Sequence, residues 1–178
     1  MNRLTRLFRH LWLDADDAQR AIGKDGLARL ETKIGESEYA HTGQLCLCIE
    51  AGLPLRYLSR TLWRGEPIEE VLRDRAVTTF GKQRVWDTED DNGVLIYLSL
   101  AEHHLEILAD RGLSRHVPQA DWQAIVDAAG SHLREGQIEE GLALALAGVH
   151  EHLARHFPAP AGSGNQKENR LPDRPILR

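Results

Sequence analysis

Two cysteines, no excess of positive charge and no long apolar run set the first limits on this chain. Cys46 and Cys48 are its only cysteines. Two apart on one strand they share a face, where a disulfide between them does not fit and where they serve as small buried apolar residues. Lys and Arg number 22 against 27 Asp and Glu, for a net charge of -5. That balance argues against a general nucleic-acid or anionic-membrane surface and leaves only local patches open. No segment approaches the roughly 20 apolar residues of a membrane span. Residues 1–13 lack the uninterrupted apolar segment of a secretory leader, so the expected compartment is the reducing cytoplasm. There is no Gly-rich phosphate loop, no Gly-x-Ser-x-Gly, no His-Glu-x-x-His and no internal repeat.

What is present suits one α/β domain with tails, since 178 residues suffice for a core without disulfide or metal staples. Leu4, Leu7, Phe8 and Leu11 recur at helical spacing among Arg3, Arg6, Arg9 and His10, which predicts a short basic amphipathic helix within an N-terminal segment 1–24. Its stripe either packs on the protein's own surface or lies on a membrane interface or partner helix through residues 1–13. A helix from Asp25-Gly26 carries Leu27, Leu30 and Ile34 inward and ends at Thr42-Gly43. Gln44 to Ile49 is apolar on both faces, as a strand covered on both sides should be, and Glu50 closes it. Residues 51–65 read as irregular or weakly helical. Glu66-Pro67 opens a helix with the stripe Ile68, Val71, Leu72, Ala76 and Phe80.

The centre of the chain is residues 86–112. An acidic loop closes on Asn92-Gly93, a strand runs from Val94 to Leu100, a short turn at Ala101–His104 follows, and Leu105–Ala109 returns to Asp110-Arg111-Gly112. The turn histidines, His103 and His104, are expected to face solvent. Strand, helix, strand implies a right-handed crossover with parallel strands. The starts of both strands and the end of the hairpin then share one edge. Two further helices carry Trp122, Ile125, Val126, Ala129 and Leu133, then Ile138, Leu142, Ala145, Leu146, Val149 and Leu153, inward. Residues 158–178 read as a flexible Pro- and Gly-rich linker with an apolar-tipped tail. Leu171, Ile176 and Leu177 give that tail a reason to dock in extended form, on this domain or on another chain.

The shared edge gathers Asp87, Glu89, Asp90, Asp91, Asn92 and Asp110, oxygen donors of the kind that hard cations take. Asp87, Asp91, Asn92 and Asp110 are the candidate ligands for Ca²⁺ or Mg²⁺, with Thr42, Gly43, Gln44, Glu89, Gly93, Arg111 and Gly112 supporting them. The spacing is not that of an EF-hand, because Asn92 and Leu98 stand where glycine and a bidentate Glu would be needed. The same residues can instead serve the fold, as turn caps and an Asp110–Arg111 pairing. A third use is hydrolysis of a phosphate ester, with a metal activating water and Arg111 holding the phosphate. Among nine histidines, His152 and His156 are spaced for one metal, with no third ligand placed by sequence.

Taken together, Thr42-Gly43 opening a strand that ends in Glu50, Asp91-Asn92-Gly93-Val94-Leu95-Ile96, and Leu105-Glu106-Ile107 through Asp110-Arg111-Gly112-Leu113 resemble the TPM domain family. So does Glu135-Gly136-Gln137-Ile138-Glu139-Glu140-Gly141 before the closing helix. The resemblance spans residues 25–157. It is strongest to a compact bacterial branch with Trp-Asp-Thr-Glu before the central strand, here Trp86 to Glu89, and a Leu-Pro-Asp-x-Pro tail, here Leu171 to Pro175. It implies a three-layer α/β/α sandwich around a small mixed sheet. Phosphatase activity and calcium binding are each attributed to some members, assembly or repair roles to others. Gln44 and Cys46 depart from the Glu and Arg common at those positions, which weakens a carried-over catalytic site. The expectation is an interaction or assembly module with a membrane-associated protein partner at the inner face of a membrane. It would hold a weak Ca²⁺ or Mg²⁺ site at the edge and no organic cofactor. A metal-assisted acid phosphatase is the alternative.

Overall fold

A computed structural model describes residues 3–160 and 171–178. The linker expected over 158–170 falls mostly on residues 161–170, outside the described residues, as do Met1, Asn2 and the Leu4 side chain of the N-terminal stripe. The elements in chain order are α1 (Arg3–Trp12), α2 (Ala15–Ile22), α3 (Lys24–Glu38), β1 (Gln44–Glu50), α4 (Leu55–Arg64), α5 (Ile68–Lys82), β2 (Gly93–Ser99), β3 (His104–Ala109), α6 (Arg111–Ser114), α7 (Gln119–Arg134), α8 (Ile138–His156) and β4 (Ile176–Leu177).

The strands form one mixed sheet in the order β3-β2-β1-β4. β1 and β2 are parallel from Gln44 opposite Gly93 to Glu50 opposite Ser99. β2 and β3 form the antiparallel hairpin, Val94 opposite Ala109. Every residue of β1 and β2 is buried, which is why both read as apolar on both faces. Alternation sorts them into two cores. Leu45, Leu47, Ile49, Val94, Ile96 and Leu98 meet Ala18 of α2, Leu30 and Ile34 of α3, and the inward faces of α7 and α8. Cys46, Cys48, Leu95 and Tyr97 meet Tyr57 and Leu58 of α4, Val71, Leu72 and Ala76 of α5, and Leu171. The protein is a three-layer α/β/α sandwich.

The tail docks on its own domain. Ile176 and Leu177 pair in parallel with Cys48 and Ile49, Leu171 is buried, and the Ala51 amide donates to the Arg178 carbonyl at 2.7 Å. The edge of β1 is thereby covered.

Three local expectations are corrected. Residues 55–64 are a regular helix, begun by Pro54 without a side-chain cap and ended by left-handed Gly65; its arginines blur the apolar stripe. His103 and His104 are partly buried: His103 shares a hydrogen bond with Arg9 at 2.9 Å and His104 with Glu106 at 2.8 Å. Helix α1 docks through His10 and through Leu7, which packs on the second core, so its stripe is divided between protein and solvent. Its His10 is buried while Phe8 and Leu11 of the expected stripe are exposed, because Glu102 in the hairpin turn draws Arg6 and His10 to it, each at 2.9 Å.

Candidate functional site

Parallel pairing brings the start of β1, the start of β2 and the end of β3 to one rim. The Asp110 amide donates to the Gly93 carbonyl at 2.9 Å and the Gly112 amide to the Asp91 carbonyl at 2.8 Å. Asn92 Nδ2 donates to Thr42 Oγ1, which donates in turn to Asp90 Oδ2, both at 3.1 Å. The three polar clusters therefore meet as the chain direction requires.

The rim is crowded at its backbone. A Cβ on Gly112 would lie 2.3 Å from the Asp90 carbonyl oxygen, and one on Gly93 1.9 Å from that of Val85. Glycine is needed at both positions for steric reasons. Asp91 itself holds φ 52, the left-handed conformation that Asp and Asn tolerate best among side-chain-bearing residues.

The carboxylates differ in company. Asp91 accepts from Arg111 Nε at 2.9 Å in an exposed pair. Asp87 is turned to Arg84 at 2.7 Å, and Glu89 is exposed. Asp110 caps α6, its Oδ1 accepting from the Arg111 amide at 2.7 Å, while its buried Oδ2 has no hydrogen-bond partner. Burial, with the Asp91 charge nearby, raises the Asp110 carboxyl above its ordinary value, against the pull of the Arg111 amide and guanidinium. Among the described residues no three His, Cys, Asp or Glu side chains gather as a ready metal cage. What the rim offers is Asp91 near Asp110, with the Asn92 amide on Thr42, Gln44 buried at the start of β1 and Asp87 held aside.

Behind the rim lies a buried relay that sequence reasoning missed. Because the Gly43 carbonyl only accepts, His41 Nδ1 donates to it at 3.1 Å. With neutral imidazoles, Nε2 then accepts from Ser37 Oγ at 2.9 Å, and Ser37 accepts from His150 Nδ1 at 2.8 Å. The spacing of Ser37 and His41 on a helix end is its one sequence trace. His152 and His156 do not converge on a third ligand: His152 tilts against Trp122 and His156 stacks on His116. Burial first, then His116, lowers the His156 value.

At the opposite end of the sheet, Glu50 and Arg75 form a buried ion pair, with Arg75 Nε 2.8 Å from Glu50 Oε2. The Tyr97 hydroxyl donates to the same carboxylate, and Arg75 lies over the Tyr57 ring. The available signal was an arginine inside the apolar stripe of α5. The thiols between the two ends are inert: burial pushes both Cys46 and Cys48 up to about 12, so no thiolate nucleophile is available at neutral pH.

A family model described as TPM domain matches residues 16–152. No curated protein matches. Among solved structures, the BA42 protein of the psychrophilic bacterium Bizionia argentinensis is similar in fold, with TM-score 0.67 and 19% identity over 87% of this chain and 94% of that one.

Proposed function

The chain belongs to the TPM domain family, and on that footing we propose that it is an interaction module whose acidic rim takes a divalent cation weakly. One observation carries the reading: Asp110 Oδ2 is a carboxyl oxygen, buried and without a hydrogen-bond partner, with the Asp91 charge nearby. Such an atom costs stability unless something positive meets it. Asp91, Asn92 and Asp110 would hold Ca²⁺ or Mg²⁺, with Asp87 joining when its bridge to Arg84 opens. The ion would supply charge neutralisation to a rim of like-charged groups.

Arg111 already lies on Asp91, so a cation has to compete with it, and affinity is weak for that reason. The exchange would free an exposed guanidinium for a partner's carboxylate or phosphate. Trp86, half exposed at the start of the acidic loop with Arg84 near its ring, is the type of residue that anchors protein interfaces. The partner we envisage is a membrane-associated protein, met at the inner face of the membrane.

Melting curves in millimolar Ca²⁺ test the reading. Wild type should melt higher than in chelator, and Asp91→Ala should lose the response; no shift in wild type removes the ion. The rival reading, a metal-assisted acid phosphatase, draws on Arg111 beside the same carboxylates. Turnover of an aryl phosphate that is abolished in both Asp91→Ala and Arg111→Ala would favour it.

A further inference from the structure

Six of the nine histidines commit a ring nitrogen to the fold. His10 bonds Glu102, His41 and His150 both bond Ser37, His103 accepts from Arg9, His104 bonds Glu106 and His132 bonds Gln137. Among the described residues the other three, His116, His152 and His156, make ring contacts but no ring hydrogen bond. These three are neighbours.

His152 and His156 lie one turn apart near the end of α8, so their side chains leave the same face of that helix. His116 sits in the connection from α6 to α7, held in place by buried Val117 and by Pro118 at the start of α7. Its ring comes to His156 with centroids 5.2 Å apart and planes 14° apart, and stands edge-on to Phe157. His152 tilts against Trp122 of α7. After burial, His116, His152 and Arg155 all act on the His156 charge and favour its neutral form, the form that ligates metals.

Two imidazoles on one tetrahedral zinc ion, with Zn–N about 2.1 Å, have ring centroids roughly 5.2 Å apart. His116 and His156 already stand at that separation. Their rings lie near parallel rather than aimed at one point, so each must turn about its Cβ–Cγ bond. The turn is open to both, since His116 is exposed, His156 partly so, and no hydrogen bond holds either ring. His152 joins by swinging off Trp122. The last turn of a helix favours a cation, because its free carbonyls carry negative partial charge. Arg115 and Arg155 oppose one, but both are exposed, where solvent and salt screen them.

We propose that His116, His152 and His156 form a site for a divalent cation of the zinc class, with water in the fourth position. Imidazole suits Zn²⁺, Ni²⁺ and Cu²⁺, whereas Ca²⁺ and Mg²⁺ take oxygen ligands, so this site and the acidic rim select different ions. The bound ion ties the connection after α6 to the end of α8. The next residue, Phe157, accepts the Thr42 amide at 2.8 Å, which places the tie beside the rim. The inference does not depend on cation binding at the rim.

The test is calorimetric titration of Zn²⁺ into the full chain, free of any affinity tag and stripped of metal by chelator. Wild type should take up one zinc per chain near neutral pH and melt higher with it. His116→Gln, His152→Gln and His156→Gln should each weaken binding at least about tenfold. His132→Gln, at the far end of α7, and Asp91→Asn, at the rim, should leave it unchanged. No uptake by wild type overturns the proposal, as does a loss in His132→Gln or Asp91→Asn equal to that in His156→Gln. Ring proton spectra of wild type supply a reading that needs no variant. Zinc should move the signals of His116, His152 and His156 together, and movement confined to other histidines overturns the site.

Discussion

Arg75 meets Glu50 with both side chains almost wholly out of water, 5% and 4% exposed. The strong hydrogen bonds that Arg75 donates to Glu50 and the Coulomb attraction together outweigh the burial that would lower the guanidinium, so Arg75 stays charged. Removing one member strands the other, a loss of about 3–5 kcal/mol. Arg75→Met should therefore lower the urea midpoint strongly, and Tyr97→Phe less, by about 1.5–3 kcal/mol for one bond to a charged group. An unchanged midpoint in Arg75→Met would show that the pair contributes nothing.

This pair marks the limit of what the sequence made legible. Runs such as Val94–Leu98 declare buried strands, and a helix between two of them sets their direction, so the sandwich and the meeting of Thr42, Asp91 and Asp110 could be read in advance. A carboxylate at a strand end reads as punctuation, so Glu50 passed for a boundary. Whether an arginine in an apolar stripe is buried depends on a partner about 25 residues away, which local periodicity does not see. How the stripe of helix α1 divides between protein and solvent is hidden for the same reason. Its stripe was plain, yet Glu102 and the Leu53 amide decide which side faces in.

Acid should loosen the molecule through Glu102 and Glu106. Burial alone would raise both carboxyls, but His10 and Arg6 on one, and His104 and Arg73 on the other, hold them below the ordinary 4.5. A carboxyl depressed in the folded state gives stability that is present above its unfolded value and lost as pH falls through the folded one. Melting temperature should therefore fall progressively below about pH 4.5. Glu102→Gln should flatten part of that fall, and an identical acid profile would contradict the assignment.

Asp110 carries the opposite sign. Its carboxyl is raised by burial and by Asp91, so the charged form costs stability once pH exceeds its folded value. Asp110→Asn keeps the cap on α6 while removing the charge on Oδ2. It should melt at the same temperature as wild type or higher at neutral pH without added cation. A marked drop would mean that the carboxylate is structural.

The tail should behave as part of the core. Leu171 is 4% exposed and is part of the second core. Leu171→Ala should cost about 2–5 kcal/mol. Deleting residues 171–178 should cost more and leave the β1 edge open to self-association, visible as aggregation during a thermal melt. An equally stable, monodisperse truncation would contradict intramolecular docking.

Backbone amide spectra recorded through a Ca²⁺ titration test the rim most directly. The account predicts that the amides of residues 42–44, 90–93 and 110–112 shift together along one saturable curve, and that Asp110→Asn abolishes the movement. Shifts confined to other residues, or none at millimolar Ca²⁺, would contradict it.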